Sequence, residues 1–212
     1  MTGQVTDRYY YNGEEYSFVA NQPKSDFTPQ FFNLTPSSIS SSCWRGFWCS
    51  FDISDSGLYL NELYIHTDND EYTDILNVKV SDIEYIECMA TRNDNGKKVS
   101  FPYKYEKYRG HRQYKGLMYP INYSGSLVIG KGFLRNYYIH CGFQRFYTYK
   151  TLIELEFKNG KVINRIDRSV MSALVRDKID ASGIDMSDFP DIGSIIKQVR
   201  EEKSLENIWW LK

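Results

Sequence analysis

The stretch SSSCWRGFWCSFDI, residues 40–53, followed by SDSGLYLNELYI, residues 54–65, decides the fold class. Two tryptophans, two phenylalanines and two cysteines sit in an alternating pattern that suits a pleated, half-buried strand. Read as one strand, Cys43, Arg45, Phe47, Cys49, Phe51 and Ile53 share a face, and Trp44, Gly46, Trp48, Ser50 and Asp52 share the other. The first set is the more continuously apolar, so it is expected to face the core. Trp44 and Trp48 then flank Gly46 on the opposite face. Ser54 to Gly57 supplies a turn, and the return run switches parity at Asn61-Glu62, where Leu58 and Leu60 give way to Leu63 and Ile65. A parity switch predicts a β-bulge.

The same logic extends along the chain. Asn12-Gly13 and Asn159-Gly160 are strong two-residue hairpin signals between apolar runs, and RNDNGKK is a further turn. Residues 21–39, with three prolines, read as a loop that tucks Phe27, Phe31, Phe32 and Leu34 onto the core. HTDNDEYTD (66–74) reads as an acidic loop, and ILNVKVSDIEYIECMA leaves strand and short helix open. SLVI and FLRNYYIH read as strands. YKYEKYRGHRQYKG (103–116) has no clean period and reads as a long loop. After residue 168 the period changes. Ser169 caps a predicted helix with Val170, Leu174 and Val175 on one face and Gly183 just past its end. Beyond Pro190, Ile192, Ile195, Ile196 and Val199 recur at helical spacing, and Trp209-Trp210 anchor the tail.

The expectation is therefore an α+β protein, with a mostly antiparallel β-sheet or partly closed barrel or sandwich and C-terminal helices. Residues 1–168 form the β-rich domain, and 169–212 form a helical segment packed on it as a single unit. An aromatic share of 16% in 212 residues fits this β-rich reading. RGFWCSFDISDSGLYL and YKTLIELEFKNGKVI echo each other faintly as two equivalent hairpins.

Function is less legible. The sequence carries neither a leader-like apolar segment near Met1 nor an apolar run of transmembrane length, so a cytoplasmic protein with no membrane contact and reduced cysteines is expected. The net charge is −1, but residues 52–94 carry eleven acidic and two basic residues, whereas 97–168 carry fifteen basic and four acidic. Either the two segments neutralise each other side by side, or one charged face serves a partner.

Several chemistries find little support. Cys43, Cys49, Cys88 and Cys141 form no C-x-x-C pair. Cys43 and Cys49 would lie roughly 20 Å apart on one extended strand, too far for a disulfide. All four are expected to pack in the core. His66, His111 and His140 are scattered, so neither metal nor cofactor is implied. His140-Cys141 would point to opposite faces of a strand. Gly125 to Gly132 matches a phosphate-binding loop up to Lys131 but lacks the final hydroxyl and the following helix.

Two segments carry a resemblance. SSCWRGFWCSFDI…GLYL and YYIHCGFQRFYTYKTLIELEFKNGKVI resemble a set of uncharacterised bacterial proteins with a CWRG(F/Y)…LYL segment and a later Y-x-H-x-G…LE segment. Phe47 stands where Tyr is commoner and Cys141 where Met is commoner. The resemblance implies a bacterial source and a β-rich fold, and supplies no catalytic residue.

The resulting expectation is a non-enzymatic interaction protein with a protein partner, most concretely an immunity protein that neutralises a toxin. The alternative is a small-molecule or nucleic-acid binder using the basic, aromatic segment 97–168, within which Lys and Arg interleave with Tyr over 103–116. An enzyme with a dispersed site ranks third. The candidate partner-binding residues are Trp44, Arg45, Trp48, Arg109, Arg112 and Arg145.

Overall fold

Among the described residues, ten strands and two α-helices follow the turn chemistry of the chain. β1 (Arg8–Tyr11) and β2 (Glu14–Gln22) meet at Asn12-Gly13, both with positive φ, as a type I′ turn requires. β3 (Phe47–Ser54) and β4 (Gly57–Ile65) form the second hairpin. β5 (Tyr85–Asp94) and β6 (Lys97–Glu106) turn at Asn95-Gly96. β7 (Arg112–Pro120) and β8 (Gly125–Phe133) precede β9 (Tyr149–Lys158) and β10 (Lys161–Asp167), which turn at Asn159-Gly160. The helices are α1 (Ser169–Ser182) and α2 (Gly193–Glu202). The computed structural model describes residues 2–24, 27–108, 110–186, 191–203 and 208–211.

Eight strands form one sheet in the order β10-β9-β8-β2-β1-β3-β4-β7, and β5 pairs only with β6. The large sheet is mixed, because β1 and β3 run parallel while every other neighbouring pair is antiparallel. It is open, with β10 and β7 at its edges, so α+β describes the fold and a barrel does not.

One face of the sheet buries the main core. Cys49, Phe51 and Ile53 of β3, Leu58, Leu60, Leu63 and Ile65 of β4, and Ile153, Leu155 and Phe157 of β9 all point into it. The bulge near Asn61 keeps both halves of β4 on that face, since the register slips there against β3 and β7. The opposite face is divided. Over β8 and β9, α1 and α2 cover it with Met171, Val175, Ile179, Ile195, Ile196 and Val199. Over β3 and β4, a smaller cluster of Cys43, Trp48 and Tyr64 does the same, with Val5 and Tyr108 packed against it.

Several expectations need correction. The strand begins at Phe47, not Cys43, because the chain turns at 43–46. Gly46 has φ +71, and a Cβ there would lie 2.3 Å from the Ser37 carbonyl oxygen. Cys43 therefore joins the small outer cluster rather than the main core. The 103–116 stretch is no long loop. It ends β6, turns, and enters β7; His111 just before β7 and Gln113 and Tyr114 within it are buried. FLRNYYIH leaves β8 at Phe133 and continues as a short 3₁₀ turn over Arg135–Tyr137. Phe31 and Val170 are exposed. Ser169 opens α1 without capping it: its hydroxyl accepts from Leu152 N, and Asp167 takes the Ser169 N–H at 2.9 Å. Pro190 lies outside the described residues. No described helix is long and apolar enough to cross a membrane.

Candidate partner-binding site

The N-terminal residues join the two segments singled out above. Gln4 is buried, and its side chain donates to Ser41 O at 2.8 Å and accepts from Trp44 N at 2.9 Å. Its backbone N–H donates to Gly142 O at 2.8 Å, and Gly3 bridges Gly142. The turn at 41–46 is thereby held beside the loop at 139–147. Gln144 braces that loop, with its amide donating to Ile139 O and accepting from Ile139 N.

Arg45 completes the tie. Its guanidinium grips Asp7 through two hydrogen bonds, at 3.0 and 2.9 Å, and lies over the rings of Phe47 and Phe143. Asp7 also accepts from Cys49 N at 2.8 Å, which fixes the start of β3. Burial lowers the Arg45 pKa, but attraction to Asp7 and their hydrogen bonds outweigh it, so the group stays above its ordinary value. A bidentate arginine held this way positions the loops around it.

Each of the two anchored loops carries an exposed aromatic. Trp44 is 53% exposed and Phe143 40% exposed, both on loops whose backbones are anchored. Next to Phe143 opens a groove of about 670 Å³ between the 139–147 loop and the start of α2, lined by Ile139, Cys141, Arg145, Ile192, Ile196 and Trp210. The lining is mainly apolar, and Arg145 and Asp191 are its charged members.

The six candidate residues separate. Trp44 is exposed, and Arg145 is exposed on the groove. Trp48 is buried, stacked on Tyr64 with ring centroids 4.7 Å apart and tilted against His111. Arg45 is bound to Asp7. Arg112 donates to Ser81 O and lies over Tyr72 on another part of the molecule. Arg109 lies outside the described residues. Phe143 and Gln4 were not legible as site residues; the aromatic beside Gly142 was the one available signal.

Other chemistry is dispersed. Among the described residues, no group of three His, Cys, Asp or Glu side chains converges to hold a metal. His140 leans on Tyr138 while Cys141 lines the groove. Gly125–Gly132 lies inside β8, and Lys131 pairs with Glu14. The tyrosines of 103–116 do not share a platform. Tyr103 and Tyr105 stack on the arm made by β5 and β6, Tyr108 packs on Tyr64, and Tyr114 is buried.

The acidic and basic segments meet in part. Glu84 binds Lys107 and Lys115, and Glu87 binds Lys104. In contrast, Asp68, Asp70, Glu71 and Asp74 are exposed and form no ion pair among the described residues. No protein-family model, curated protein or solved structure matches the chain.

Proposed function

We propose that the chain is a non-enzymatic interaction protein that docks a protein partner on the Trp44–Phe143 surface and the groove beside it. The observation that carries this reading is the pairing of two exposed aromatics with anchored backbones. Binding hot spots favour Trp and other rigid aromatics, which bring contact area at small entropic cost. Within this class a toxin is the most concrete partner. The unpaired carboxylates of residues 68–74 support a basic protein surface as the complement.

The test is affinity capture from the native host, followed by reconstitution with the purified partner. The expected partner is a basic protein whose binding weakens as salt rises. Trp44→Ala and Phe143→Ala are each expected to weaken it by at least tenfold. Unchanged affinity in both variants, or recovery of nucleic acid alone, overturns the reading.

A small-molecule ligand is the second reading, favoured by a groove whose volume falls within the usual ligand-pocket range. It predicts that Ile196→Trp, which fills the groove, abolishes ligand-induced thermal stabilisation.

A further inference from the structure

Among the described residues, the β5–β6 arm is a two-stranded ribbon that pairs with no other strand, and none of its residues is buried. Ten residues of strand span about 34 Å. An isolated hairpin of this kind is marginally stable in water. One of its faces is apolar: Ile86, Cys88 and Ala90 of β5 lie opposite Tyr105, Tyr103 and Phe101 of β6.

Its two free edges differ. The Lys107 N–H donates to Glu84 O, and Asp94 faces Lys97 across the two-residue turn. Both fix the even residues of β5 as those bonded to β6. The N–H groups of Glu87, Met89, Thr91 and Asn93 therefore point outward along β5. On β6, Pro102 faces Met89 and so occupies an outward position, where it has no N–H to offer. Proline closes the β6 edge to strand addition, and β5 has no such guard.

We propose that the β5 edge is a self-association surface, pairing antiparallel with β5 of a second copy about a two-fold axis at Cys88. The apolar face of β5 is self-complementary in that register. Ile86 faces Ala90 of the partner copy and Cys88 faces its own equivalent, while Glu84 keeps Lys107 and Lys115. Backbone bonds then join Tyr85 with Thr91 and Glu87 with Met89. Shifting the axis to Met89 sets Ile86 against Arg92 and Glu84 against Asp94; shifting it to Ala90 sets Ile86 against Asp94. Of these three registers, the Cys88 register alone sets Ile86 against an apolar residue. An isologous contact of this kind closes at two copies. It turns each marginal ribbon into half of a four-stranded sheet.

Two measurements on the full-length protein test this. The first is the mass by light scattering over a concentration series. A dimer is expected for the native sequence, and Thr91→Pro is expected to raise its dissociation constant at least tenfold. Thr91 N–H points away from β6, so the substitution spares the hairpin ladder, and unchanged circular dichroism verifies that. The second is cross-linking of the native sequence with a short bismaleimide. A covalent dimer is expected, lost in Cys88→Ser while the light-scattering dimer persists. A native protein that stays monomeric at hundreds of micromolar, a dimer indifferent to Thr91→Pro, or cross-linking that survives Cys88→Ser overturns the proposal. If Thr91→Pro does not fold, the cross-linking result decides.

Discussion

The indole N–H of Trp209 donates to the Glu154 carboxylate at 3.0 Å, which ties the end of the chain to the middle of β9. Trp210 Nε1 donates to the same carboxylate at 3.3 Å, and Arg168 Nε at 2.8 Å. Glu154 is only 4% exposed, and α1 and α2 pack over this face. A buried charge is tolerated when a cation and further donors satisfy it, and this one has both.

Glu154→Ala leaves Arg168 and both indoles without their acceptor. Breaking a buried pair from one side costs about 3–5 kcal/mol. Glu154→Gln keeps one oxygen acceptor and is expected to cost less. Urea unfolding measures the difference. Limited proteolysis should cut the C-terminal tail of Glu154→Ala while the β-strands still resist.

The two tryptophans of the opening stretch should respond in opposite ways. Trp48 packs on Tyr64 and His111, so Trp48→Ala is expected to cost about 3–5 kcal/mol, as large core truncations do. Trp44 is exposed, and Trp44→Ala is expected to stay within about 0.5 kcal/mol of the native protein. Thermal unfolding of both variants checks this. A Trp44→Ala protein as unstable as Trp48→Ala would remove Trp44 from the docking surface.

Gly46 predicts a cost that depends on backbone alone. Its φ of +71 is unfavourable for any L side chain by about 1–3 kcal/mol. The Ser37 backbone also occupies the space of a Cβ. Gly46→Ala should therefore destabilise more than a surface glycine at a similar φ. Gly13 is the control, since nothing lies within 4 Å of its Cβ position. Equal losses in the two variants would show that the Ser37 approach contributes nothing.

Local chemistry was readable, and long-range geometry was not. Asn12-Gly13 and Asn159-Gly160 announce their hairpins because positive φ at two successive positions demands those residues. The bulge at Asn61 was visible as a change of parity. The parallel pairing of β1 with β3 joins distant residues, such as Tyr9 and Phe51, and leaves no local mark. The start of β3 was misplaced because its limit is set by Ser37, which reaches Gly46 from another segment. Residues 103–116 looked aperiodic because they cross an exposed strand, a turn and the start of β7, where the consecutive residues Gln113 and Tyr114 are both buried. At the candidate site, Trp44 and Arg145 were visible as residue types. Their grouping depends on Gln4, whose spacing from Trp44 and Gly142 follows no pattern.

The cysteines supply a last prediction, and a correction. They do not all pack in the core: Cys43 and Cys49 are buried, Cys88 is exposed and Cys141 is half-buried. Burial, with Asp7 adding to it, pushes the Cys49 thiol well above its ordinary 9.0; burial raises Cys43 as well. Thiolate is the reactive form, so both buried thiols are blocked by access and by protonation. An aromatic disulfide reagent at pH 8 is expected to label Cys88 first and Cys141 more slowly. Cys43 and Cys49 should react only as the protein unfolds. The sign for stability follows from linkage. A thiol whose pKa is raised on folding contributes fully below its unfolded pKa, and that contribution fades as pH rises above it. Stability should therefore fall above about pH 9 as the unfolded chain ionises Cys49. The buried Tyr9 hydroxyl, raised by burial and then by Asp7, adds the same trend above about pH 10. Melting temperatures from pH 7 to pH 10.5 should decline more gently in Cys49→Ala than in the native protein. Identical slopes, or rapid labelling of Cys49 at pH 8, would contradict the buried, protonated thiol.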